Sequence, residues 1–163
     1  MFSEKLQAAM NEQINEELYS AYLYLSMAAH FEAANLPGFG HWMRIQAQEE
    51  QAHAMKFFGF INSRNGRVRL QAIAQPPVEF GSPLSIFQAA LEHEQHITGR
   101  INALYELAQQ EKDHASRSLL QWFVDEQMEE ENNAQAIVDT LKMAGEGGMA
   151  LIMLDHQLGA RAG

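Results

Sequence analysis

Four glutamates stand where the apolar face of a helix should continue. Glu17, Glu50, Glu94 and Glu126 each interrupt a stripe of apolar residues that recurs at helical spacing. A carboxylate in an apolar interior costs on the order of several kcal/mol, and neighbouring carboxylates repel one another. A bound cation relieves both costs. The pattern therefore predicts a metal site made of carboxylates inside a helical protein.

An imidazole accompanies the acid of the second stripe. His53 follows Glu50 by three residues, so both side chains point to the same side of a helix. In two-metal bundle sites, such a Glu-x-x-His pair is combined with single glutamates from other helices. Carboxylate oxygens and an imidazole suit iron, manganese or zinc. The alternative is a metal-free structural or interaction bundle, for which an apolar residue in place of Glu50 or Glu94 would be stabilising and harmless.

Four long helices and one short helix would position these residues. N-cap residues, apolar periodicity and Pro/Gly breaks place them at roughly residues 4–34, 38–64, 83–110, 114–144 and 149–158. The long helices measure about 40–46 Å at 1.5 Å per residue. The connection over residues 66–82 could reach about 56 Å when extended, enough to place the second and third helices parallel. We expect a single all-α domain over residues 1–163, a four-helix bundle with one long crossover and a short C-terminal fifth helix.

Composition excludes several classes of protein. The 163 residues carry 11 Lys and Arg against 21 Asp and Glu, a formal net charge of −10, which argues against nucleic acid or an anionic membrane as partner. No cysteine is present, so disulfide scaffolds and thiolate metal sites are excluded. No leader or membrane-length apolar segment is visible, and we expect a cytoplasmic protein.

The chain resembles the bacterial non-haem ferritins of the ferritin-like superfamily. The matching blocks extend over nearly the whole chain, and both their residues and the spacing between them fit the family. They are Asn11-Glu-Gln13, Glu17-Leu-Tyr-Ser20, Ala47-Gln-Glu-Glu-Gln-Ala-His53, His93-Glu-Gln95 with Ile97-Thr98, and Gln121-Trp-Phe-Val-Asp-Glu-Gln-Met-Glu-Glu-Glu131.

The resemblance implies a di-iron centre. By position, Glu17, Glu50 and His53 match the ligands of a first iron site, with Glu50 as the bridge to the second. Glu94 and Glu130 match the ligands of the second iron site.

Five further residues match more peripheral positions of the family. Glu49, Glu126 and Glu129 resemble the third iron site that is typical of bacterial members. Gln127 resembles a side chain that hydrogen-bonds near the metal pair, and Tyr24 resembles the tyrosine beside the di-iron centre.

The implied function is iron storage and detoxification. A ferroxidase of this kind oxidises Fe(II) with O2 or H2O2 and deposits ferric mineral inside a hollow homo-oligomer, expected to have 24 subunits. The apolar run Met149–Leu154 fits such an assembly, because it would be an exposed patch on a monomer and subunit contacts would bury it.

Related families fit less well. Bacterioferritins resemble a version with a second Glu-x-x-His, which the fourth helix lacks, and their haem-ligating Met would fall at Gln51, so we expect no haem. Rubrerythrin-like peroxidases need a Cys-rich iron domain, which a chain without cysteine cannot form. The DNA-protecting miniferritins lack the fifth helix and bind metal between subunits, and the acidic charge further disfavours binding to DNA.

Overall fold

The computed structural model describes residues 2–145 and 147–163, and this part of the chain contains five α-helices and no strand. The helices are α1 (Glu4–Ala33), α2 (Pro37–Ser63), α3 (Pro83–Gln110), α4 (His114–Ala144) and α5 (Met149–Leu158). Each end lies within about one residue of the position expected from helix start and stop signals. The prediction of an all-α chain with five helices is confirmed.

Local signals in the sequence explain where the helices begin and end. Ser3, Ser82 and Asp113 each accept a hydrogen bond from the backbone N–H three residues later, which caps α1, α3 and α4. After α1 and α2 the chain turns at Asn35 and Asn65, whose φ angles are 59° and 56°. Asparagine tolerates this left-handed conformation better than most residues, so both helices stop there.

The direction of the helices follows from contacts across the bundle. Gln13 meets Arg100 at 3.1 Å, and Ser20, further along α1, meets His93 at 2.7 Å, so α1 and α3 are antiparallel. The short turn after α1 makes α2 antiparallel to α1 as well. It follows that α2 and α3 are parallel, as the long connection predicted.

The crossover between α2 and α3 lies along α1. Near one end of that helix, the Arg67 backbone N–H donates to Gln7 Oε1 at 2.6 Å. Near the other end, the Ser26 hydroxyl donates to the Pro77 carbonyl at 2.6 Å. The connection thus spans most of the bundle, and side chains of α1 bind its backbone polar groups, which have no regular partner.

Two apolar clusters form the core, one toward each end of the bundle. In one, Phe31 stacks on Phe39 with ring centroids 5.0 Å apart. In the other, Phe57 stacks on Phe123 at 4.3 Å. The first cluster uses α1 residues from 23 onward and the second uses those up to 14, so a middle layer separates them. The candidate metal ligands occupy this layer.

The short helix α5 packs against the start of α2. The Phe39 backbone N–H donates to Asp155 Oδ1 at 3.0 Å. A Cβ added at Gly38 would lie 1.6 Å from the Asp155 carbonyl oxygen, so only glycine permits this approach. Among the described residues, no helix combines the length and apolar character that crossing a membrane requires.

Candidate metal centre

Each helix of the bundle contributes one buried glutamate to the middle layer. These are Glu17 of α1, Glu50 of α2, Glu94 of α3 and Glu130 of α4, with exposed fractions of 0%, 1%, 2% and 5%. Three of them are the acids that interrupt the apolar stripes of their helices. Burial of four acids at one level is the defining feature of this bundle.

The fourth acid is Glu130 and not Glu126, the residue that apolar periodicity predicted. The buried face of α4 includes Phe123, Gln127, Glu130 and Ala134, which places Glu126 at its edge with 26% of its side chain exposed. Glu126 still reaches the layer, since its Oε1 lies 3.5 Å from His53 Nε2. The family resemblance, which assigned Glu130 to the second site, fits the geometry better than the periodicity did.

The acids and the imidazole form three groups of candidate ligands, two of which share Glu50, while the third combines His53 with Glu126 and Glu130. Ligand atoms of Glu17, Glu50 and His53 all lie within 4.8 Å of one another, and so do those of Glu50, Glu94 and Glu130. His53 Nδ1 is 3.2 Å from Glu50 Oε2 and 4.0 Å from Glu17 Oε2. Hard oxygen donors with one nitrogen suit a divalent ion of the first transition row.

Without a cation, this layer favours protonated carboxyls. Burial raises the pKa of Glu17 and Glu50 well above the ordinary value for a glutamate and also raises that of Glu94, and the charge of Glu50 adds to the effect at Glu17. Burial and then the charge of Glu94 raise the pKa of Glu130 to about 8. Glu17 Oε2 is buried without a hydrogen-bond partner. An unpartnered carboxylate oxygen facing a histidine and a second carboxylate is what a metal ligand requires.

Glutamine amides hold two sides of the acidic layer. Gln46 Nε2 donates to Glu50 Oε1 at 2.9 Å and to Glu130 Oε2 at 2.7 Å, so a single amide links the acids of α2 and α4. Gln13 Nε2 donates to Glu17 Oε1 at 2.9 Å. These bonds fix the carboxylates before any ion binds.

On the α3 side, two donors converge on Glu94. Gln127 Nε2 donates to its Oε2 at 3.1 Å and to its backbone carbonyl at 3.2 Å. The Tyr24 hydroxyl donates to its Oε1. Burial, then the negative charge of Glu94, raises the pKa of Tyr24, so the phenol keeps its proton. Both predicted positions, Gln127 and Tyr24, therefore touch a buried acid of the layer.

The three acids predicted for a third site make different contacts in this structure. Glu49 pairs with Arg161, whose Nη2 lies 2.6 Å from its Oε2. Glu126 faces His53, and Glu129 is exposed. Within the described ranges, the groups whose ligand atoms lie close enough to hold one ion include Glu126 but neither of the other two acids.

Sequence reasoning assigned no role to Gln46 or Arg161. Gln46 was recognisable, because it lies on the apolar stripe of α2 four residues before Glu50, where a polar residue needs a reason. Arg161 follows the last helix and carries no periodic signal. Its contact depends on how α5 docks, which only the tertiary structure shows.

Fold and site together define a helical bundle with a carboxylate-rich candidate metal centre at its middle. The ferritin-like domain family matches residues 7–144. A bacterial non-heme ferritin of Bacteroides fragilis is 45% identical over 161 residues, covering 99% of this chain and 100% of the relative, and one of Staphylococcus aureus is 37% identical over 99% and 97%. A chain from Archaeoglobus fulgidus, described as a novel open pore ferritin, has a TM-score of 0.98 at 52% identity, with 99% and 100% covered.

This chain belongs to the ferritin family. It is an iron-storage protein, and its buried carboxylate and histidine groups are compatible with iron binding and with a general iron-oxidising role.

Proposed function

We propose that the protein is a ferroxidase that oxidises Fe(II) at the buried acidic layer and stores the ferric product inside its own oligomer. The observation that carries this proposal is the presence of two ligand groups that share Glu50. Two ions held by one bridging carboxylate can deliver their electrons together to a single oxidant. A purely structural bundle has no use for such an arrangement.

In this proposal, Glu17, Glu50 and His53 bind the first iron, and Glu50, Glu94 and Glu130 bind the second. Support comes from the separation of at most 4.8 Å between ligand atoms within each group. Anionic oxygen ligands favour the ferric state over the ferrous state, because hard donors prefer the more highly charged ion.

The surrounding side chains orient the ligands and exchange protons. Carboxyls with a raised pKa, among them Glu130, release their protons when Fe(II) binds. Tyr24 and Gln127 keep Glu94 in place by donating to it. Two Fe(II) ions lose two electrons in all; O2 takes up these electrons and two protons to give H2O2, or H2O2 takes them up to give two waters.

The wider features are also proposals. The exposed residues Met149, Ile152 and Met153 of α5 fit a face that subunit contacts bury in a homo-oligomeric shell of 24 chains. We propose one domain over residues 1–163, a third iron site at Glu49, Glu126 and Glu129, a cytoplasmic location, and no partner of nucleic acid or membrane. No haem is expected.

The test is aerobic Fe(II) oxidation followed by stopped-flow absorbance. The native protein should show a fast phase that saturates near two irons per chain, the number the shared-ligand geometry predicts. Glu50→Gln keeps the size of the side chain but removes the bridging charge, and should abolish the fast phase. Glu106→Gln removes the same charge from an exposed position of α3 and should behave as native. Equal, slow rates in all three proteins would contradict the proposal.

A further inference from the structure

The C-terminal tail places a guanidinium against the metal centre. Beyond α5, Arg161 Nη2 lies 2.6 Å from Glu49 Oε2, and Nη1 donates to Gln46 Oε1 at 3.1 Å and to the Trp42 carbonyl at 3.2 Å. The guanidinium carbon lies 4.4 Å from the centre of the Trp42 ring. Only 18% of the arginine side chain is exposed. Several contacts therefore hold the arginine side chain in one position, unlike an isolated ion pair on the surface.

The fold fixes the tail in this position. His41 Nε2 lies 2.8 Å from the carbonyl oxygen of Arg161, so the backbone of this residue is tied to α2 as well as its side chain. A few residues earlier, Asp155 binds the start of α2, and Gly38 lets the two helices touch. Docking of α5 therefore delivers the arginine to Glu49.

We propose that Arg161 is a specificity-determining residue. Its guanidinium pairs with the Glu49 carboxylate and competes there with a third metal ion. The inference rests on the proposed function, in which Glu49 belongs to the third iron site. A guanidinium has five donors and no acceptor, so it satisfies the carboxylate as a cation does and repels a cation that approaches it. A third ion has to displace Arg161 from Glu49 before it can bind there.

The consequence is a difference in affinity between the inner and outer ions. The buried acids Glu17, Glu50 and Glu94, here called inner acids, accept hydrogen bonds from neutral amides. These amides do not neutralise the carboxylate charge, so it remains available to a metal ion. The charge of Glu49 is already matched by Arg161. Two ions should therefore bind tightly and a third weakly, and the weak step should strengthen when the arginine is removed.

Zinc binding to the assembled metal-free protein tests this without any redox chemistry. Calorimetric titration with Zn²⁺ should show two tight events per chain and a weak third event in the native protein. In Arg161→Gln the third event should tighten about tenfold, the scale of one charge-assisted hydrogen-bonded pair, with the first two changed less than about threefold. Arg161→Lys keeps the charge but loses the paired geometry, and should lie between the two. Arg69→Gln alters an exposed arginine of the crossover and should match the native protein.

Provided that the native protein binds the first two ions, three outcomes would overturn the inference: an unchanged third event in Arg161→Gln, a lysine variant indistinguishable from native, or loss of the first two events in the glutamine variant. Failure of the native protein to bind the first two ions would instead refute the proposed function. Anomalous diffraction from native crystals at saturating Zn²⁺ needs no variant. It should show an ion on Glu49 with Arg161 displaced; an ion there with the guanidinium still at hydrogen-bond distance would contradict the proposal.

Discussion

Glutamates next to each other in the sequence have opposite surroundings in this bundle. Glu50 and Glu130 are buried, bonded to the Gln46 amide and raised in pKa. Their neighbours Glu49 and Glu129 reach solvent, and the first of them is paired with an arginine. One step along a helix rotates a side chain by about 100°, which converts a costly buried acid into a solvated one.

Position on the helix, and not residue type, therefore decides which acid faces the buried layer. Inner acids cost stability in the empty protein and recover it when metal binds. Outer acids cost little and contribute little to binding. Replacing one member of each neighbouring pair at a time should therefore give unequal effects on stability and on metal binding.

The largest expected effect comes from apolar replacement of the shared ligand. Glu50→Leu should stabilise the empty protein by about 1–4 kcal/mol, because it removes a buried carboxyl that faces other carboxyls. It should also abolish the two tight metal-binding events. Thermal unfolding with and without Zn²⁺ measures both effects. Glu49→Leu is the matched control and should retain tight binding; if both variants behave alike, the distinction between inner and outer acids fails.

Replacement of Glu130, one of the neighbouring acids Glu129 and Glu130 in α4, should have a smaller effect, mainly on the affinity for the second metal ion. Glu130→Gln should weaken the second metal-binding event by about 100-fold, since it removes an anionic ligand while outer-shell changes alone cost about 10- to 100-fold. The first event should change less, because Glu130 does not belong to the Glu17–Glu50–His53 group. Calorimetry of Glu129→Gln provides the comparison, and a comparable loss there would show that the register of α4 is misassigned.

Removing the linking amide should cost less than removing a ligand. Gln46→Leu leaves Glu50 and Glu130 without their shared donor and should reduce metal affinity about tenfold, as for other side chains that orient ligands. Gln48→Leu changes an exposed residue of the same helix and should have no effect on zinc affinity. Equal affinities in the two variants would count against preorganisation by Gln46.

The free energy of unfolding of the metal-free protein should fall as the pH rises, because the buried acids have raised pKa values in the folded state. Glu130 holds its proton in the folded state up to a pKa of about 8, whereas the unfolded state releases it near 4.5. The contribution of Glu130 to the free energy of unfolding is therefore fully present below pH 4.5. It is lost as the pH rises toward 8, by at most about 1.4 kcal/mol per pH unit. Chemical denaturation between pH 5 and 8.5 measures the slope. Glu130→Gln should flatten it and Glu106→Gln should not; a native slope of opposite sign would refute the assignment.

The helices and most of the centre could be predicted because their signals are local. Ser82-Pro83 starts a helix whatever surrounds it, and acids within apolar stripes show that a face is not purely core. The choice between Glu126 and Glu130 was not available from periodicity, since residues four apart share a helix face and the register is set by packing. The contact of Arg161 with Glu49 was equally inaccessible, because it depends on the close approach of α5 to Gly38.

The most direct test of the central claim is anomalous diffraction at the iron edge from crystals of the assembled protein loaded with Fe(II) without oxygen. The buried layer should contain two iron peaks per chain, one at Glu17, Glu50 and His53 and one at Glu94 and Glu130, with Glu50 touching both, as the shared ligand groups predict. Iron found only at outer acids such as Glu49 and Glu129, with an empty middle layer, would contradict the account.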